Sequence, residues 1–383
     1  MKMSSQSLIM IVAALSLCGL ISCSDDNVVT PPGGNGSAIV KDTLAGNIEG
    51  VMTAGKTYYL AADAFVQKGD TLRIEKGARL IALGPSPTGV HTLFIRGTLL
   101  CEGSSDSMIV LEPLQKFSGA WGGIQCDSPD VVSLKYTRID YAGGLRPDGK
   151  PRPAIYILST GVDCEFILED CILNKPKDDG FMIYGGHGRI MRNSFPWNGE
   201  VDGSGPNFKS GFKGKVAYNY IWSCVDQCIR VETSATVLFP QTDVEIYNNT
   251  IINSGHKNPA RPGAAILIDK YARAKVYNNI FVNTFRGLHI TKLADTANTV
   301  YGNNLFYATI DSLRGNFYPS TGVGRPQPSD LIQVDPMFVR YDANTNAATD
   351  ESDVHLQAGS PAIGAGNPTY DEDLGCWGRR RNN

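Results

Sequence analysis

Between residues 131 and 307 one short pattern keeps returning, of the form apolar-x-Tyr-Asn-x-Ile/Phe. Its fullest copy is Val276-Tyr277-Asn278-Asn279-Ile280-Phe281, and others lie at 190–195, 217–221, 246–251 and 301–306. Thr137 before Ile139 and Asp170 before Ile172 hold the same place in two earlier copies. Markers at 137, 170, 193, 219, 249, 279 and 304 are 33, 23, 26, 30, 30 and 25 residues apart. Each is followed by a small residue and an alternating apolar strand: Gly180 with 181–184, Cys228 with 229–232, Ala265 with 266–269, Gly287 with 288–291. The unit is therefore three short strands and three turns, with no helical period. One such unit cannot bury its apolar face, whereas a stack at about 4.8 Å per rung closes a continuous core. Asn suits the turn because it tolerates a left-handed backbone and can hydrogen-bond the same amide one rung away. Asn193, Asn219, Asn249, Asn279 and Asn304 are thus predicted to stack. Repeats this short exclude a propeller, whose four-stranded blades need about 40 residues.

This pattern resembles right-handed parallel β-helix proteins of the pectate-lyase type, with their asparagine ladder. The resemblance covers roughly residues 70 to 365. Gly119-Ala120-Trp121-Gly122-Gly123-Ile124 resembles a coil-opening motif of exported β-helix proteins of Bacteroidota. Val334-Asp335-Pro336-Met337-Phe338, the 355–363 segment and Asp373-Leu374-Gly375-Cys376-Trp377-Gly378 resemble their closing segment. The usual Asp before Ala365-Gly366-Asn367-Pro368 is Gly364 here. The expected fold is all-β: a single-stranded right-handed parallel β-helix over 41–383, with a β-rich N-terminal cap over 58–83.

Residues 1–22 read as an export signal, with Lys2 ahead of an apolar run too short to span a bilayer. Leu20-Ile21-Ser22-Cys23 resembles the lipobox of bacterial lipoproteins, which implies that Cys23 is lipidated and opens the mature chain. Ser24-Asp25-Asp26 resembles the surface-export signal of Bacteroidota lipoproteins, implying an outer-membrane protein, lipid-anchored and facing outward. A Pro/Gly-rich tether then runs to about residue 40.

Lys and Arg number 35 against 38 Asp and Glu, with no basic stripe, which excludes a nucleic-acid partner. Setting aside Cys18 and Cys23 leaves seven Cys at irregular spacings, no disulfide framework and no zinc motif. They read as small interior hydrophobes, and the chain as a monomer.

In the pectate-lyase type, substrates lie along the outer face of the first strand of each coil. Strand alternation sends one column of side chains outward there, read as Met182, Lys209, Arg230, Leu267 and His289. A second column reads Tyr184, Gly211, Glu232, Asp269 and Thr291. β-Elimination on a uronic-acid polysaccharide needs the carboxylate neutralised, a base and a proton donor. Arg230 suits the first role, Lys209 or His289 the base, and Tyr184, Glu232 and Asp269 contacts with an acidic glycan. Lys209 is expected to be activated by the adjacent Arg230. Asp178, Asp179 and Asp226, just ahead of their strands, make calcium a candidate cofactor. Asp178-Asp179 and Gly186-His187-Gly188 superficially resemble polygalacturonase motifs, but those lie about a coil apart and these only 8 residues apart. A hydrolase would need facing carboxylates, for which Glu232 and Asp269 are the nominated pair. The competing reading is a non-catalytic glycan-binding, structural or adhesive surface protein. Tyr156, Tyr184, Trp197 and Trp222 would then offer ring faces, although Trp222 reads as core.

Overall fold

The computed structural model describes residues 36–85, 89–161, 163–235, 238–255, 262–341 and 352–381. Cys23 and the tether to residue 35 lie outside the described residues. Three parallel ladders run the length of the solenoid. The first contains Leu93–Ile95, Ile124–Asp127, Ile155–Leu158, Phe181–Tyr184, Pro206–Ser210, Ile229–Val231, Ile266–Ile268 and Leu288–Ile290. The second runs from Gly50–Met52 through Glu165–Glu169, His187–Met191, Lys213–Ala217 and Asp243–Tyr247 to Val300–Gly302. The third runs from Arg79–Ala82 through Ile172–Asn174, Ser194–Pro196 and Tyr220–Trp222 to Leu331–Ile332. Thr57–Val66 turns a corner, pairing with the third ladder at one end and the first at the other. The expected N-terminal cap is thus built from the same parallel coils as the body.

Alternation sorts the side chains. In the first ladder Ile95, Cys126, Ile157, Ile183, Phe208, Val231, Ile268 and Ile290 form one inward column, each at most 2% exposed. Burying such side chains contributes roughly 1.5–3 kcal/mol apiece, which a lone coil could not collect. The seven described Cys are buried and none is in a disulfide; six lie within this interior and Cys376 lies beneath the closing segment.

The asparagine stack forms as expected. Each side-chain amide donates to the next Oδ1: Asn193 to Asn219 at 3.0 Å, Asn219 to Asn249 at 2.8 Å, Asn249 to Asn279 at 2.9 Å and Asn279 to Asn304 at 3.0 Å. The backbone N–H of each also donates to the next Oδ1, and Asp330 closes the series by accepting from Asn304 N. Two details correct the sequence reading. The left-handed residue is the one before each ladder Asn: Arg192, Tyr218, Asn248, Asn278 and Asn303 all have positive φ. Asp170 also has positive φ, so Cys171, whose N–H donates to Asn193 Oδ1, is the true counterpart of the ladder Asn.

The only described α-helix is the four-residue Asp311–Arg314. After the antiparallel pair Phe338–Arg340 and Asp353–Leu356, the closing segment lies against the asparagine turns. Tyr370 packs on Tyr247 and Tyr277, and the Asn248 and Asn278 amides donate to the carbonyls of Asp373 and Asp371 respectively.

Candidate functional site

Strand register decides which outward side chains meet. Met182 pairs with Asn207, Asn207 with Arg230, Arg230 with Leu267 and Leu267 with His289. Lys209 therefore does not stand in the Met182 column, as the sequence reading placed it. Pro206 is the first inward residue of its strand, Phe208 the next, and a register shift after Ile183 sets Tyr184 opposite Ser210. Asn207 takes the position, and Lys209 moves toward Glu232.

That shift builds an ion cluster. The Glu232 side chain is 1% exposed and accepts from Lys209 Nζ at 2.9 Å, Lys270 Nζ at 3.1 Å and Arg230 Nη2 at 3.0 Å. Burial opposes its ionisation, but Arg230 and Lys209, with Lys270, outweigh that and hold the carboxyl down at about 2. Arg230 also lies 3.8 Å from Asp226, which accepts from Gln227. Arg230, expected to neutralise a uronate carboxylate, and Lys209, expected to act as base, are both paired with Glu232. Glu232 and Asp269 sit on adjoining rungs but serve different partners: Asp269 accepts from Thr291 Oγ1 at 2.6 Å. His289 is half-buried two rungs from Arg230, its pKa lowered by burial and by Arg286.

A second cluster lies on the preceding coils. Asp179 is buried, with Oδ1 accepting from Ser204 N at 2.6 Å and Oδ2 from Asn207 Nδ2 at 2.8 Å. Its neighbour Asp178 is partly buried and lines an open cavity of about 380 Å³. Burial raises the pKa of both carboxyls, Asp178 further because Asp179 and Asp202 add like charge. The pair thus holds a proton to higher pH than an ordinary carboxylic acid, and Asp178 faces the cavity. Asn198 is fully buried with neither side-chain polar atom hydrogen-bonded, and Asn207 Oδ1 is likewise unpaired. Asn198 Oδ1 crowds Gly180 so closely that a Cβ there would lie 2.6 Å away, so the strand entry requires glycine. Among the described residues no group of three or more His, Cys, Asp or Glu side chains could hold a metal ion. Asp178, Asp179 and Asp226 are not assembled into such a ligand set.

The cavity is floored by outward residues of the first ladder, Phe94, Gln125, Tyr156 and Met182, and walled by Arg146, Arg152 and Pro151 of the 143–153 loop. Tyr184 packs edge-on against Tyr156, ring centroids 6.3 Å apart, and lies tilted against Phe239 at 5.8 Å. Tyr156 is thus the ring that faces the cavity, and Tyr184 supports it. Trp222 is 4% exposed and belongs to the core, as expected. The sequence reading nominated Asp178 and Asp179 as metal ligands, set aside their likeness to a polygalacturonase motif, and missed Arg146 and Arg152. Only the placement of their loop over Tyr156 reveals them.

A family model described as a right-handed beta helix region matches residues 122–305. No curated protein matches the chain. A solved structure titled as that of pectate lyase Pel9A is 12% identical over 82% of this chain and 89% of its own, with a TM-score of 0.40. The ladders and the family model together make this chain an all-β, single-stranded right-handed parallel β-helix.

Proposed function

We propose that the outer face of the first ladder is a polysaccharide site and that Asp178 is its proton donor. The observation that carries this reading is the Asp178–Asp179 pair: two adjacent carboxyls in unlike surroundings, one fixed by Ser204 and Asn207, the other opening on a cavity floored by Tyr156. Titratable neighbours held apart in this way supply an acid and an anion at one place. Asp178 gives its proton to the leaving glycosidic oxygen as its bond to the anomeric carbon breaks. A water molecule takes the leaving group's place on that carbon, and the proton shed by the water restores the acid. The charge on Asp179 and Asp202 stabilises the positive character that develops on the sugar ring. Tyr156 carries the ring face of the sugar, and the Glu232 cluster keeps the next stretch of the groove positive.

The test is incubation with a panel of acidic and neutral polysaccharides, with and without calcium, following reducing ends and the ultraviolet absorbance of unsaturated ends. Asp178→Asn should lose on the order of 10²- to 10⁴-fold in rate. Cleavage by that variant at the parent rate would overturn the assignment. Unsaturated ends would mark β-elimination, with His289 as base two rungs from Arg230. Retention of a glycan by the parent without new ends would leave the binding reading, which the Tyr156–Tyr184 pair favours.

The sequence further supports display from an outer membrane through a lipid on Cys23, with the face turned outward. Cys23→Ala should move the protein to soluble fractions or block its processing; unchanged membrane partitioning would refute the anchor.

A further inference from the structure

We propose that the cavity beneath the 143–153 loop is a subsite for one anionic sugar unit, a uronate or a sulfated sugar, read by Arg146. The proposal rests on the reading of the first ladder as a glycan face and adds to it the charge and the size of the unit held. At about 380 Å³ the cavity is near the small end of ligand sites, roughly 300–1,000 Å³, and suits one or two sugar units better than a long run of polymer.

The two arginines of the wall differ in their commitments. Arg152 is spent on architecture: its Nη1 donates to Thr92 Oγ1 at 2.7 Å, and its backbone N–H to Gly143 O. The loop is further tied by Gly144 N to Trp121 O and by Arg146 N to Lys150 O, so its position is fixed before any ligand arrives. The Arg146 side chain, 49% exposed, meets Asp148 only at 3.5 Å, and Asp148 is 55% exposed. An ion pair so solvated is weak, so an anion in the cavity can take the guanidinium from it. A guanidinium grips a carboxylate or sulfate through two parallel hydrogen bonds. Tyr156 and Met182 offer the apolar floor for the ring, and the exposed Asp127 accepts from sugar hydroxyls.

The full chain is titrated with the methyl glycosides of glucuronate and glucose, and with glucose 6-sulfate, by calorimetry. Anionic sugars should bind at least about tenfold more tightly than glucose, one decade of Kd. Arg146→Ala should shrink that preference to less than about threefold at an unchanged thermal midpoint. Arg146→Lys separates the two sources: loss of uronate preference with sulfate kept names the sulfate ester, and loss of both names a bidentate anion contact. Equal binding of glucose and the acids by the parent, or a preference that survives Arg146→Ala, would overturn the proposal. The outcome is independent of catalysis. If Asp178→Asn cleaves normally while Arg146 still sets the preference, the proton-donor reading fails and the subsite stands; the reverse pattern removes the subsite alone.

Discussion

In the turn between the second and third ladders each rung repeats the one before, and Asn193, Asn219, Asn249, Asn279 and Asn304 bond to one another, to backbone and, at the last rung, to Asp330. On the outer face of the first ladder, the same coils carry Met182, Asn207, Arg230, Leu267 and His289 in succession. The first arrangement is saturated and offers a ligand nothing. The second keeps unlike charges together, leaves Asn198 and Asn207 with unpaired buried polar atoms, and holds two carboxyls above their ordinary range. Buried polar groups without partners cost stability, and those of Asn198 and Asn207 lie beside Gly180 and Asp179. In a stacked fold, repetition reports structure, and departure from repetition points to use.

The largest effect should come from breaking the saturated side. Asn249→Ala removes donors to Val216 O, Tyr247 O and Asn279 Oδ1 and strands the Asn219 N–H. We expect a loss of about 4 kcal/mol in chemical denaturation. A loss under about 1 kcal/mol would deny the stack a structural role. Next comes Glu232→Gln, which leaves Arg230 and Lys209 largely buried without their carboxylate and should cost about 3 kcal/mol.

Its pH signature is as diagnostic as its size. The Glu232 pKa is lowered on folding, so its contribution is complete above the unfolded value of about 4.3 and is lost as pH falls through about 2. An acid titration of stability should therefore be shallower for Glu232→Gln than for the parent. Asp178 has the opposite sign. Its pKa is raised on folding, so its ionisation weakens the native state as pH climbs past the ordinary carboxylate range. Asp178→Asn should gain about 1 kcal/mol at mildly alkaline pH, the usual direction when a functional group is removed from a costly site. A variant less stable than the parent there would place Asp178 among the supporting residues. The smallest change is Lys270→Ala. Its side chain is 41% exposed, so less than about 1 kcal/mol is expected, against the much larger response at Glu232.

Much of this contrast was legible in the chain itself. The five Asn, the inward apolar strands and the buried Cys follow from local pattern and from the need of each coil to cover its neighbour. Asp170 was misaligned by one because the strained turn residue, rather than the ladder residue, matched the spacing. Lys209 was misplaced because its strand opens on Pro206 and carries a polar Asn207 outward, which hides the apolar alternation that sets register.

The sequence by itself determined the solenoid, since a three-strand repeat with an Asn in one turn has a single way to bury its apolar side chains and pair its amides. It also contained every residue of the outer face. Only the tertiary structure decided which of them meet. Glu232 draws Lys209, Arg230 and Lys270 from three successive coils, and Arg146 reaches Tyr156 through a loop whose hold on Thr92 spans 60 residues. Such contacts depend on register shifts and loop paths between coils, and strand periodicity, which repeats every two residues, carries no information about either.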